Sequence, residues 1–388
     1  MYTGIRAFIL CVLCCLTAVS CGDTNRVEGA CAVDVDAASD YDLADVALSI
    51  DVIPVKSEYP VGEVRRCKGY GDLILMNFDN VLLCVDGRSG DAVRVNRAGR
   101  GPGEYAAISD FAYDPDSDML VISDAQMCQV LVYDLSEMRH IRTLRLEAMV
   151  GAVEFLDDGN LLVGVTRFSG DGGGKPSYSV ERMDIDTGDM SAALAAGEWK
   201  GKDLSSDCLS RGNDGCVYVA CEYNPFMFYR VTSDECRPVA MFDMGRYAAP
   251  DEAYETLGFF DWEPYILSYE SDAIILRYCH IPCMGYFEGG DAAFWFSNAV
   301  GLQKRPPMMA YCRRGGESFV ARRIGIDGLV CRVRPAGCGD GFYYAVVPGP
   351  ADALRDASAE LSPLGEDVLE ALRGQNDDNP VILKFRLI

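Results

Sequence analysis

Leu73-Ile-Leu-Met-Asn-Phe78, Asp79-Asn80, Val81-Leu-Leu-Cys-Val85, Asp86-Gly87, Ser89-Gly90 and Ala92-Val-Arg-Val95 follow one another almost without a gap. The apolar runs have strand length. The Asp, Asn and Gly pairs between them accept the positive φ and local hydrogen bonding that tight turns need. The stretch reads as consecutive antiparallel strands. The pattern returns at Met119-Leu-Val-Ile-Ser123, Asp124-Ala125, Val130-Leu-Val-Tyr133 and Ile141-Arg-Thr-Leu-Arg-Leu146. Even spacing of this kind specifies a sandwich, a barrel or a propeller.

A longer period decides among these. An aspartate-rich turn recurs at Tyr70-Gly-Asp72, Asp114-Pro-Asp-Ser-Asp118, Asp157-Asp-Gly159, Asn213-Asp-Gly215, Glu270-Ser-Asp272 and Cys338-Gly-Asp-Gly341. The interval, roughly 40 to 60 residues, fits one four-stranded blade with its loops. Such a blade cannot bury both faces alone, whereas a ring of blades can. The predicted fold is all-β: a six-bladed β-propeller over 45–388 with four-stranded blades and small helical insertions at about 250–258 and 350–374. Blade six is predicted to start near 318 with Phe319–Ile324 and Leu329–Val333. Ala47–Ile53 and Pro380–Ile388 both alternate as strands, so the N- and C-terminal strands are expected to close the ring, with the N-terminal one outermost.

The first twenty residues read as a targeting leader. Arg6 is the only charge before Asp23, and the apolar run from Ala7 to Val19 is too short to span a bilayer comfortably. The junction Ala18-Val19-Ser20-Cys21-Gly22 resembles the lipobox of bacterial lipoproteins, which implies a diacylated Cys21. Ordinary leader cleavage beside an incidental Cys21 is the alternative. Residues 21–44 lack periodicity and read as a lipidated tether.

A net charge of −24 disfavours nucleic acid and anionic headgroups as partners. Beyond the leader, the thirteen cysteines that follow Cys21 include no C-x-x-C, so zinc-ribbon and thioredoxin-type sites have no support. Cysteines inside apolar runs, such as Cys84, Cys128, Cys221 and Cys331, read as small buried hydrophobes.

The segment Gly99-Arg-Gly-Pro-Gly-Glu-Tyr105, followed by Ile108-Ser-Asp-Phe-Ala-Tyr-Asp-Pro115, resembles the six-bladed β-propeller lipoproteins of Bacteroidetes, relatives of the NHL-like and TolB-like propellers. Val52-Ile-Pro-Val55 and the ending Asp377-Asp-Asn-Pro-Val-Ile-Leu-Lys-Phe385 fit that family's first strand and C-terminus. The resemblance implies the fold, lipidation and an envelope location, the outer membrane or cell surface with the periplasmic side as the alternative. It implies no activity.

In a propeller, loops between blades share a face with the turns between second and third strands. That face is predicted to carry the ligand-binding candidates Arg100, Glu104, Tyr105, Arg167, Glu222, Tyr223, Arg277 and Tyr278. Arg100 offers a bidentate fork to a carboxylate or phosphate, and the tyrosines offer rings for stacking on a sugar. The competing reading is that Gly101, Pro102 and Gly103 only turn the chain, with Arg100 and Glu104 holding the loop. Two histidines, His140 and His280, and the absence of G-x-S-x-G and H-E-x-x-H leave catalysis without a motif. No catalytic residue, cofactor or metal site is predicted. The sequence predicts an envelope lipoprotein held to the membrane by lipid on Cys21, acting as a non-enzymatic propeller that binds a small ligand, glycan or envelope protein. The alternative is a carbohydrate-active hydrolase or lyase using acids and tyrosines at the channel mouth.

Overall fold

The computed structural model describes residues 31–387 except 35–36, 96, 169–176, 194–207, 213, 222–225, 244–285, 289–290, 297–307, 313–317, 334 and 376–378. Among them the chain forms six sheets, each built on a four-stranded antiparallel blade. Blade one comprises β4 (Val64–Tyr70), β5 (Leu73–Phe78), β6 (Val81–Asp86) and β7 (Ala92–Val95). Blade two comprises β8 (Asp110–Asp114), β9 (Met119–Asp124), β10 (Gln129–Asp134) and β11 (Arg139–Arg145). Blade three comprises β12 (Met149–Phe155), β13 (Leu161–Arg167), β14 (Ser177–Met183) and β15 (Met190–Ala192). Blade four comprises β16 (Leu209–Arg211), β17 (Val217–Cys221), β18 (Phe226–Val231) and β19 (Cys236–Asp243). Blade five is described in part, as β20 (Tyr286–Glu288), β21 (Asp291–Phe296), β22 (Met308–Cys312) and β23 (Ser318–Gly325).

Blade six joins β24 (Pro335–Gly339), β25 (Phe342–Val347) and β26 (Val381–Leu387) to the early strand β3 (Ala47–Pro54). β3 lies antiparallel to β26 at the rim, with Val52 opposite Leu383 and Ile50 opposite Phe385. The ring is thus closed by both chain ends, and no long open edge remains there. One boundary differs from the sequence reading. Phe319–Ile324 is not the start of blade six but the outer strand of blade five, with Phe319 opposite Tyr311. Leu329–Val333 is not a strand at all: a turn follows Ile326, and Leu329 makes a single bridge to Arg355.

The core lies between blades. Leu75 and Leu82 of blade one pack with Phe111 and Leu120 of blade two. Val121 and Val132 meet Val153 and Val163 of blade three, and Tyr344 and Ile382 of blade six meet Met76 and Leu83 of blade one. Middle strands are buried on both faces, which explains why their sequences run apolar instead of alternating. Two helices, α2 (Ala351–Leu354) and α3 (Pro363–Arg373), pack beside blade six. Ser362 caps α3 through Gly365 N–H at 3.1 Å, and Pro363 occupies its first turn, where a missing N–H is harmless. Val368, Leu369 and Leu372 carry its apolar face into the core.

The expected tether at 21–44 is shorter than its composition suggests. β1 (Cys31–Ala32) adds a parallel strand to the rim of blade four against Phe242 and Asp243. β2 (Ser39–Asp42) does the same to blade five against β23, and α1 (Leu43–Val46) buries Leu43 beside blade six. The N-terminal segment therefore laces three consecutive blades. Outer strands expose unpaired N–H and C=O groups that pair with the segment's backbone, helped by the Tyr41 ring against Phe319 and by Asp40 beside Arg322. Backbone pairing leaves no hydrophobic period in the sequence.

Candidate functional site

Two assemblies on the ring carry chemistry. The first is the loop between blades one and two. Gly99 N–H donates to Tyr105 O at 2.9 Å and Tyr105 N–H to Arg97 O at 3.1 Å, so the loop closes on itself. Glu104 accepts from Gly101 N–H at 2.7 Å, filling the loop's centre. Gly103 holds φ at +70°, and a Cβ there would meet the His140 ring. Tyr105 is fully buried and its hydroxyl donates to Asn80 O, in the β5–β6 turn of blade one, at 3.1 Å. Ala106 N–H donates to Asp124 at 2.7 Å and Gln129 donates to Glu104 O at 3.2 Å, tying the loop to blade two. Tyr133 reaches Gly103 O at 3.0 Å.

The geometry therefore gives Tyr105 and Glu104 structural work, staple and filler. Tyr105 has no exposed ring to stack on a ligand. Arg100 is different: it stands exposed at the tip of this rigid loop. His140 is part-buried: it leans edge-on against Tyr133 and pairs with Thr143 at 2.9 Å. Arg167 holds Glu181 on the neighbouring strand with both forks, at 2.5 and 2.8 Å, so its bidentate face is occupied. Glu222, Tyr223, Arg277 and Tyr278 lie outside the described residues, as does His280. Asp114–Asp118 is the β8–β9 hairpin turn, with Asp118 at φ +56°.

The second assembly lies on the axis. The innermost strand of blade one points Arg66, Lys68 and Tyr70 to one side at every second position. The alternate residues, Cys67 and Gly69, face blade six. Lys68 is buried and its ammonium group faces Phe111 O at 2.7 Å, Val153 O at 3.0 Å, Asp110 Oδ2 at 3.1 Å and Glu154 Oε2 at 3.3 Å. Asp110 also accepts from Val153 N–H at 2.8 Å and from Arg66 at 3.3 Å. Tyr70 donates its hydroxyl toward Glu154 at 3.3 Å. Blades one, two and three are thus tied together by buried charge.

Burial pushes the Glu154 carboxyl above its ordinary pKa, and the nearby Lys68 and Arg211 charges pull it back. Burial, with the Glu154 and Asp110 carboxylates, raises the Tyr70 phenol well above its usual range. Arg211 ends the innermost strand of blade four, and its Nη1 is buried with no hydrogen-bond partner. Sequence reasoning missed this assembly. Its signal was charge at period two in Arg66-Cys-Lys-Gly-Tyr70, and single acids at Asp110 and Glu154 beside apolar runs.

Burial raises the thiol pKa of four described free cysteines, Cys67, Cys84, Cys216 and Cys331. Burial pushes Cys84 up to about 12 and Cys331 to about 11, which keeps both protonated. Cys31 is disulfide-bonded. Among the described residues no group of His, Cys, Asp and Glu has the arrangement of a metal site, and no helix is long and apolar enough to cross a membrane.

Comparison with known proteins supports the architecture. A family model described as a 6-bladed beta-propeller matches residues 23–256. The solved structure of a protein from Bacteroides fragilis, named as exported, superposes with a TM-score of 0.66 at 15% identity, covering 93% of this chain and 99% of its own. A member of the duf4221 family from Bacteroides vulgatus gives a TM-score of 0.47 at 10% identity, covering 88% and 98%. At 15% identity the likeness to the Bacteroides fragilis protein is one of fold alone. No curated protein matches the sequence.

Proposed function

Because the chain belongs to this family of six-bladed β-propellers, we propose that it is an exported, lipid-anchored binding module of the bacterial envelope that acts without turnover. The observation that carries the binding reading is the Gly99–Tyr105 loop. It is cinched by its own backbone and clamped by two blades, yet it leaves Arg100 exposed at its tip. A guanidinium on a rigid mount loses little entropy on binding, and its fork matches a carboxylate or phosphate. Glu104 and Tyr105, the acid and phenol nearest to it in sequence, are committed to folding the loop. That favours recognition of an acidic group over hydrolysis.

The anchoring reading draws on the lipobox-like Ser20-Cys21 junction and on the lacing of the N-terminal segment. Residues 22–30 alone separate Cys21 from β1. Even fully extended, that span reaches at most about 35 Å, so a lipid on Cys21 holds the rim of blade four near the membrane. The disulfide at Cys31 suits an oxidising compartment outside the cytoplasm.

The full chain, purified in non-ionic detergent, tests the binding reading on an array of uronic-acid, sialylated and neutral glycans. Acidic glycans are expected to bind without cleavage. Arg100→Ala should weaken binding about tenfold or more, the loss of a charge-assisted pair, and leave thermal stability nearly unchanged because the side chain is exposed. Chain cleavage, or binding indifferent to Arg100→Ala, would overturn the reading. Metabolic labelling with a radioactive fatty acid tests the anchor: label should enter the wild type and not Cys21→Ala.

A further inference from the structure

The Gly99–Tyr105 loop follows β7, the outer strand of blade one, and lies against β11, the outer strand of blade two. Just before the loop, Arg97 Nη2 donates to Met138 O at 2.8 Å, in the turn that leads into β11. Gly103 lies against the His140 ring, near the start of that strand. At the loop's far end Gln129 donates to Glu104 O at 3.2 Å, and Gln129 is the register partner of Arg145, the last residue of β11. The contacts of the loop with blade two therefore run the length of β11.

The register fixes which arginines face the loop. Leu131 and Tyr133 point toward blade one, where they pack with Leu75 and Leu82. Gln129 shares their side by alternation, and Arg145, directly opposite Gln129, shares it too. Arg139 stands opposite Asp134 and falls on the other side, with Val130 and Val132. Arg139 and Arg142 are already paired, with Asp134, Glu137 and Asp186. Arg97, Arg100 and Arg145 are exposed, and among the described residues none of the three forms an ion pair. The acids beside the loop are spent: Glu104 accepts from Gly101 N–H, and the buried Asp124 takes Ala106 N–H, Met127 N–H and Gln129. Three guanidiniums are thus gathered on one rim without neutralising acids, in a chain of net charge −24. Like charges so placed repel one another, and a polyanion laid along them relieves that repulsion.

We propose that Arg97, Arg100 and Arg145 form a cradle along the rim between blades one and two for a linear acidic glycan, which they hold by more than one carboxylate at once. The proposal rests on the reading that Arg100 recognises an acidic group, and adds that the ligand is a chain. The seven residues of β11 extend about 20 Å, more than a single carboxylate or phosphate can cover. Gly101 and Pro102, exposed beside Arg100, put no long side chain in the path of a sugar ring.

The test titrates the full chain in non-ionic detergent with galacturonic acid, hexagalacturonate and polyglutamate, at low and at physiological ionic strength. The hexamer is expected to bind at least about tenfold more tightly than the monomer, because several acids engage together, and to weaken as salt rises. Arg145→Gln should lower affinity for the hexamer about three- to fivefold at low salt, the contribution of one exposed ion pair, and leave thermal stability nearly unchanged. Arg139→Gln removes the same charge from the other side of the same strand and should alter hexamer binding by less than about twofold. A hexamer no tighter than the monomer, an Arg145→Gln protein that binds as well as wild type, or polyglutamate bound in preference to the glycan would each overturn the cradle. If Arg100→Ala weakens binding and Arg145→Gln does not, the cradle fails and the Arg100 reading stands. If neither variant weakens it, both fail.

Discussion

Lys68→Met is expected to lower stability by about 3–5 kcal/mol, the usual cost of removing one partner from a buried ion cluster. The isosteric stem would still pack, so the loss comes from charge. Asp110 and Glu154 would remain buried with no ammonium between them, and the carbonyls of Phe111 and Val153 would lose their donor. Denaturant unfolding of both proteins measures the difference. The deficit should shrink in acid. Lys68 lowers the pKa of Glu154 and burial raises it, so without Lys68 the folded-state pKa climbs further. A carboxyl with a raised folded-state pKa binds its proton more tightly in the folded chain. Its penalty is absent below the ordinary carboxyl range and grows as pH rises from there through the raised value. Lys68→Met should therefore approach wild type at low pH and diverge toward neutrality. A pH-independent deficit would mean that the stem, not the charge, matters.

Gly337→Ala is the second large effect, at about 3 kcal/mol or more, the upper end of overpacking costs. β24 and β4 are the innermost strands of blades six and one. A methyl on Gly337 would overlap the carbonyl oxygen of Cys67, and one on Gly339 would overlap that of Gly69. Both obstacles are backbone, which cannot rotate aside, so the blades would have to part. Gly69 is constrained in turn by the Tyr344 ring. The expected readout is a steep fall in soluble yield and unfolding midpoint. Ala336→Gly, at the neighbouring position, should cost far less, near the ordinary backbone penalty of about 1 kcal/mol.

The legible and illegible parts of this chain divide along physical lines. Blades one to three announce themselves because tight hairpins demand Asp, Asn and Gly at fixed places, as at Asp79-Asn80 and Asp157-Asp-Gly159. The seam between β3 and β26 was legible because the two termini alternate and a ring needs closing. The blade-five boundary was misplaced because Phe319–Ile324 looks the same whether it opens a blade or closes one. Neighbouring blades, not local sequence, decide that. The lacing by β1 and β2 was hidden because its pairing runs through backbone groups, and its few side-chain contacts, such as Tyr41 on Phe319, leave no hydrophobic period. The Gly99–Tyr105 motif drew attention for its glycines, yet Glu104 and Tyr105 hold the loop and Arg100 is the charged side chain left exposed at its tip. The axial cluster was overlooked because charged residues in strands read as solvent-facing. On a propeller axis the side of an inner strand faces neither water nor an apolar core but the other blades' inner strands.

The claim on which the rest depends is that the chain closes into one ring, with Ala47–Pro54 as a strand of blade six bonded to Val381–Leu387. Hydrogen–deuterium exchange of the native full chain, read by peptide, tests it directly. Peptides covering 47–54 and 381–387 should be protected to a similar degree and lose protection together as denaturant is raised. Exchange of 47–54 within seconds, while 381–387 stays protected, would show a free N-terminal arm and contradict the closed ring.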